Sequence, residues 1–259
     1  MTKKQRTYVR RMPKIYGNLQ PRRRSFAGVG RFLRNVIWLF AVAAAVYAVG
    51  WSPLFRIHHV AVEGMHLGSQ AQIQAMAPAG KNIFLVSTSR LANQIEQDPI
   101  VQSVAITRGL PDTLRIVVQE KKPALIWQSG STSYLVDDQG VAFMTSNTND
   151  PTLARVIDTK GLPVKLGQQI VSLTFLQFVD ALPGQLAKEA PQVQPDHYEL
   201  SDTTYDLTLV TKSGMHVLFN TLGDVGVPAR NLKRLMSQET IAPNAQIDLR
   251  INNWAYVTP

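Results

Sequence analysis

Val36-Ile37-Trp38-Leu39-Phe40-Ala41-Val42-Ala43-Ala44-Ala45-Val46-Tyr47-Ala48-Val49-Gly50-Trp51-Ser52-Pro53-Leu54-Phe55 runs for 20 residues without an ionisable group. As a helix it would reach about 30 Å, the hydrocarbon thickness of a bilayer. A transmembrane helix is therefore predicted over residues 35–55. Before it stand eleven Lys/Arg and no acid; the other 16 Lys/Arg follow it, with all 18 acids. That asymmetry places the N-terminus in the cytoplasm and about 200 residues outside, with Arg22, Arg23, Arg24, Arg31 and Arg34 as the nearest topology determinants. A cleaved signal peptide would have a shorter apolar core ending at a small-residue site. Here Ala41-Val42-Ala43 lies inside the run. A buried core helix would need neither the lopsided charge nor Trp38, Tyr47 and Trp51 towards its ends.

The basic tail, 1–34, is expected to be disordered, because Pro13, Gly17, Pro21, Gly28 and Gly30 interrupt it. Tyr8, Tyr16 and Phe26 show no regular interleaving with the basic residues, so no specific nucleic-acid binding is expected. Attraction to anionic membrane lipid is expected. The chain has no cysteine, which excludes disulfides and thiol catalysis. The 204 residues after the span allow one or two compact domains.

Over residues 56–122 the pattern is β-α-α-β-β. Phe55 to Gly64 alternates as a strand, with His58 and His59 directed to opposite faces. Ser69 is placed to cap a helix from Gln70 to Ala77, and Ser87 or Thr88 a second from Ser89 to Gln97. Ile100–Arg108 and Thr113–Glu120 read as strands, joined by Gly109-Leu110-Pro111-Asp112. Two helices on one face of a three-stranded sheet would bury a modest core. Glu120-Lys121-Lys122 reads as a solvated strand end at a domain junction.

Residues 123–259 are β-rich. Short strands are read at Ala124–Gln128, Tyr134–Asp137 and Val141–Met144, the last two joined by Asp138-Gln139-Gly140. Further strands are read at Arg155–Asp158, Gln192–Leu200, Tyr205–Thr211 and Met215–Asn220. Ile247–Ile251 and Trp254–Val257 close the sequence. Helices are read from Ile170 to Leu182, stopped by Pro183-Gly184, and from Val227 to Glu239. The fold class is α+β: one N-terminal transmembrane helix, then a β-α-α-β-β domain and a mainly antiparallel β domain with two helices.

No catalytic signature emerges. There is no G-x-S-x-G, P-loop or G-x-G-x-x-G, and none of the five histidines stands in a zinc-binding spacing. Asp137-Asp138 reads as turn chemistry. Catalysis, a cofactor, a metal and a small-molecule substrate are not expected.

Several motifs carry a resemblance. Val60-x-Val62-x-Gly64, Asn82-x-Phe84, Pro99-x-Val101-x-x-Val104, Arg108-Gly109-Leu110-Pro111-x-Thr113-Leu114 and Glu120-Lys121-Lys122-Pro123 resemble a POTRA domain. Leu135-Val136-Asp137-Asp138-Gln139-Gly140-Val141-Ala142-Phe143 and the Ile247-Asp248-Leu249-Arg250 run resemble the β domain of the FtsQ/DivIB cell-division family. The resemblance covers about residues 32–259 and implies a non-enzymatic membrane scaffold at the division septum. It implies FtsB-like and FtsL-like partners among other divisome components, with an FtsB-like segment received by strand addition at the last strand. That strand, near Trp254 to Val257, has nothing after it in the sequence to cover it. By position Arg250 matches the family's partner-facing arginine, and Ile251 stands where several relatives carry an aromatic. Arg250→Glu is then expected to weaken partner binding without unfolding. Trp254 and Tyr256 are read either as anchoring surface or as core packing. A POTRA protein of an export or envelope-assembly pathway is the alternative.

Overall fold

Helix α1 spans Ala27–Trp51, and its stretch Val29–Trp51 is long and apolar enough to cross a membrane. The structure, a computed structural model, describes residues 27–148, 150–238, 241–251 and 254–258, with Met12 and Gly17. Arg22, Arg23, Arg24 and most of the tail lie outside the described residues. Arg31 and Arg34 belong to α1, not to a tail, because the apolar residues Val29, Phe32 and Leu33 extend the helix N-terminally past Gly28 and Gly30. Glycine is tolerated in membrane helices, so these two do not break it. The helix stops at Trp51, short of Phe55, because a residue preceding proline avoids helical geometry and Ser52 precedes Pro53.

The chain divides into two units, Met1–Ser52 and Pro53–Pro259. The second opens with a single 3-10 turn, Pro53–Phe55. Phe55, read from sequence as the end of the span, packs against the first core of this unit. Strand β1 is His59–Glu63, shorter than the alternation suggested. Then come α2 (Gln70–Met76), α3 (Thr88–Ile95), β2 (Val101–Gly109) and β3 (Thr113–Glu120). The sheet order is β1-β3-β2, with β1 parallel and β2 antiparallel to β3. Leu114, Ile116 and Val118 face the core while Arg115, Val117 and Gln119 stay exposed, so one face of the sheet is covered. Opposite it lie Ile73, Leu91 and Ile95 of the helices.

Local chemistry explains the motifs. Gly64 has φ +87°, and a Cβ there would run into the Val118 carbonyl oxygen. Ser87 accepts the Arg90 N–H at 3.3 Å as the cap of α3. Ser69 makes no such bond to α2. Instead the Glu120 carboxylate gathers the N–H groups of His66, Leu67 and Gly68 at 2.8–3.0 Å. Its desolvation would raise its pKa, but those three donors outweigh it and the net shift is downward. His58 and His59 do not diverge as strand neighbours, because His58 precedes β1. Their rings lie 3.6 and 3.8 Å from the same Asp112 oxygen.

Among the described residues the rest forms one nine-stranded sheet, in the order β12-β11-β10-β9-β8-β7-β4-β5-β6. The strands are β4 (Pro123–Ser129), β5 (Thr132–Asp137), β6 (Ala142–Thr145), β7 (Ala154–Asp158), β8 (Pro195–Leu200), β9 (Asp206–Thr211), β10 (His216–Asn220), β11 (Gln246–Asp248) and β12 (Tyr256–Thr258). Five pairings are antiparallel, but β4·β7, β7·β8 and β10·β11 are parallel. The helices α4 (Leu173–Glu189) and α5 (Gly226–Gln238) connect β7 to β8 and β10 to β11, and a helical crossover brings the next strand back parallel. So the sheet is more mixed than its short strands suggested.

The helices pack on one face, where Phe175, Val179, Leu182, Leu186 and Leu232 meet Val156, Leu209 and Phe219. Helix α4 runs on through Pro183-Gly184, contrary to the sequence reading. An interior proline costs about 3 kcal/mol. Leu182 and Leu186 are both almost wholly buried, and burying such side chains contributes about 1.5–3 kcal/mol each, enough to offset it.

The two sheets are joined. Lys121 Nζ lies 2.8 Å from Asp137 Oδ2, with the carboxylate 5 % exposed. Asp137 Oδ1 also accepts the N–H groups of Gln139 and Val141, both at 2.9 Å. Ile100, just before β2, packs on Ile126, Leu135 and Phe143. Lys121 is thus built into the joint and Glu120 into the loop before α2, with only Lys122 left as the expected solvated end.

Candidate partner-binding site

The far end of the large sheet is built on β11. Ile247 is fully buried, and the Leu249 N–H donates to the Leu218 carbonyl at 2.9 Å, carrying the pairing with β10 past the strand's end. Arg250 follows Asp248 by two residues, and in extended chain that spacing puts both side chains on one side. Arg250 Nε lies 3.0 and 3.1 Å from the two Asp248 oxygens, and Nη2 is 2.6 Å from Oδ2. Nη1 reaches Asp206 Oδ1, at the start of β9, at 3.2 Å.

The guanidinium hydrogen bonds hold the Asp248 pKa below the usual carboxylate range, against a smaller opposing effect of burial. Arg250 is shifted upward, first by Asp248 and then by Asp206. In the free chain, then, this arginine ties the ends of β11 and β9 together. Arg250 makes these bonds while its side chain stays 39 % exposed. Arg250→Glu would set a third carboxylate beside Asp206 and Asp248, so it is not a neutral probe of binding.

Strand β12 pairs antiparallel with β11, Asp248 opposite Tyr256, Ile247 opposite Val257 and Gln246 opposite Thr258. All three of its residues are exposed. Among the described residues no strand pairs with its outer side. It begins at Tyr256, two residues later than read from sequence, so Trp254 and Ala255 precede it. Core packing is excluded for both aromatics: Trp254 is 64 % and Tyr256 58 % exposed. Trp254 lines a shallow cavity of about 120 Å³ with Arg234, Leu235 and Gln238 of α5. Ile251 is also exposed, beyond the clamp.

The four residues singled out by sequence therefore share one region but not one role. Arg250 braces; Ile251, Trp254 and Tyr256 present surface. Sequence reasoning missed Asp206 and Asp248 as the arginine's partners. The Asp-x-Arg spacing signalled Asp248, whereas nothing local signals a residue 44 positions away. Among the described residues no group of His, Cys, Asp or Glu could hold a metal ion. What β12 offers is main-chain donors and acceptors beside aromatic side chains, the means for adding a strand.

Residues 55–121 match the family model described as POTRA domain, FtsQ-type, and residues 125–250 the one described as Cell division protein FtsQ/DivIB, C-terminal. The second match ends at Arg250, before β12. The cell division protein FtsQ of Chloroflexus aurantiacus is 32 % identical over 173 residues, 63 % of this chain and 62 % of that protein. FtsQ of Streptomyces venezuelae is 28 % identical over 203 residues, 76 % of this chain and 73 % of that protein. DivIB of Clostridium acetobutylicum is 31 % identical over 91 residues, 34 % of this chain and 36 % of that protein. The chain spans less than two thirds of the length of the Chloroflexus proteins it matches. With an apolar helix, a β-α-α-β-β unit and a β domain in this order, and both models of its folded part matched in sequence, the chain belongs to the FtsQ/DivIB family of cell-division proteins.

Proposed function

We propose that the chain is a non-enzymatic, single-pass scaffold of the division machinery, with its N-terminus in the cytoplasm and its folded unit outside, at the septum. Its partners are FtsB-like and FtsL-like single-span proteins, and it links them to septal wall synthesis. The observation that carries this reading is the outer side of β12, a surface-exposed strand that pairs with β11 alone among the described residues. An open edge is an aggregation hazard unless something is meant to cover it, and an extended peptide covers it by main-chain hydrogen bonding. Trp254 and Tyr256 supply aromatic anchors beside that edge. The FtsQ/DivIB C-terminal match weighs against the export reading.

The test is affinity capture from crosslinked membranes, comparing the full chain with one ending at Ile251. A chain ending at Ala245 would also remove Ile247, Leu249 and the Arg250 clamp, and so would confound binding with folding. Two small single-span coiled-coil proteins, held by the full chain and lost with the truncation, are the expected result. Equal capture by both chains would sink the β12 assignment.

A further inference from the structure

Residues 82–86 connect α2 to α3 and are fastened from two sides. The buried Asn82 accepts the Phe84 N–H at its Oδ1 at 2.9 Å, and its carbonyl takes the Leu85 N–H at 3.0 Å. From β2, Arg108 donates through Nε to the Ile83 carbonyl at 2.9 Å and through Nη2 to the Val86 carbonyl at 2.8 Å. Ile83 and Val86 point into the core, while Phe84 and Leu85 are turned outward, Leu85 at 78 % exposure. A connection held by these bonds on both sides presents those two side chains as a fixed feature.

The surroundings are cationic. Arg56, Lys81 and Arg90 are exposed, and none of the ion pairs among the described residues involves them. Lys81, Leu85 and Arg90 share one groove of about 490 Å³ whose lining contains no acid. The Phe84 ring packs against Phe55 with centroids 5.3 Å apart. Phe55 follows Trp51, the last residue of the apolar helix, by four residues, at most about 15 Å of chain.

We propose that Phe84 and Leu85, with Arg56, Lys81 and Arg90 around them, form a docking patch for an anionic lipid surface. The apolar pair enters the headgroup boundary and the three cations meet lipid phosphates. The proposal rests on the reading of Val29–Trp51 as a membrane span. Unpaired cations around outward apolar residues, one of which packs on Phe55 four residues after that span, fit a bilayer better than a protein groove.

Because the chain lacks cysteine, a single introduced thiol can be labelled cleanly. The full chain carrying Leu85→Cys, Ser131→Cys or Ala44→Cys is labelled with an environment-sensitive fluorophore. Each is reconstituted in phosphatidylethanolamine vesicles containing phosphatidylglycerol, then exposed to lipid-borne nitroxide and to aqueous iodide. Position 44, inside the span, reports insertion; position 131, in the β4–β5 turn, reports water.

At position 85 the expected result is severalfold stronger nitroxide quenching than at 131, and weaker iodide quenching. The nitroxide quenching should fall when phosphatidylcholine replaces phosphatidylglycerol, and in Lys81→Glu/Arg90→Glu. Iodide access at 85 equal to that at 131, with 44 still quenched by lipid, overturns the patch while leaving the span intact. Shielding at 85 from both quenchers overturns it in favour of a protein occupant. Quenching insensitive to phosphatidylglycerol removes the role of the cations. No lipid quenching at 44 overturns the span itself, and the patch with it.

Discussion

The two ends of the nine-stranded sheet are finished in opposite ways. At the β6 end the chain covers the start of its own edge: Ala142 donates to the Gln168 carbonyl at 3.1 Å and accepts from Gly167 at 2.7 Å, and Val141 bridges to Gln169. Beside that edge Asp137 and Lys121 fasten the sheet to its smaller neighbour. At the β12 end the last strand is three residues long and exposed throughout. The ion pairs there, Arg250 to Asp248 and Asp206, hold β11 to β9 but leave β12 uncovered. One end is capped at its start and fastened to its neighbour; the other is firm up to β11 and open beyond it. A sheet with both edges fully open would invite unspecific pairing, so capping one favours growth at the other.

Asp137→Ala should have the largest effect on stability. It removes the partner of a mostly buried lysine and the acceptor of two backbone N–H groups. Breaking such a pair from one side costs about 3 kcal/mol or more. Denaturant unfolding of the full chain in detergent should show this, and a loss of unfolding free energy of less than a third of that would mean the joint is not closed by this pair.

Glu120→Gln comes next, at about 1–2 kcal/mol near neutral pH, through weakened acceptance of three N–H groups. Its pH dependence gives a second reading. The folded-state pKa of Glu120 is depressed, so the stability it contributes is present above the ordinary carboxylate pKa. That stability is lost as pH falls through the lower, folded value. The gap between parent and variant should therefore close on acidification below the usual glutamate range. A gap independent of pH would assign the loss to packing.

Most of the fold was legible because its signals are local. The alternation Leu114, Ile116, Val118, the Gly64 and Gly140 turns and the serine cap of α3 can each be read within a few residues. What escaped was set at a distance. Parallel pairing of β7 with β8 and of β10 with β11 depends on where α4 and α5 return the chain, that of β4 with β7 on how the chain comes back after β5 and β6, and α4 persists through Pro183 because of the core beneath it. The site divided along the same line. Exposure of an edge near Trp254 and Tyr256 followed from the last strand, but the engagement of Arg250 by Asp206 needed the fold.

Arg250→Ala should cost about 1 kcal/mol or less, since all three groups are partly solvated and such pairs are worth little. Freed of its partner, Asp248 should titrate closer to an ordinary aspartate, which carboxylate NMR would register. If the clamp also orients β12, partner capture should fall along with this small loss. Unchanged capture would leave Arg250 as a brace for β9 and β11 only.

The smallest expected change in stability accompanies the largest expected change in binding. Tyr256→Lys alters an exposed side chain on an exposed strand, so unfolding should move by no more than about 0.5 kcal/mol. A lysine on an edge strand is a device that discourages strand addition, by its charge and by the apolar contact it removes. Capture of the small single-span partners should therefore be sharply reduced at unchanged melting temperature. The same substitution made at Thr145 of β6, on the opposite edge, should leave capture intact. Sensitivity at both positions would mean that the partner does not distinguish the two ends, and the contrast between them would lose its functional meaning.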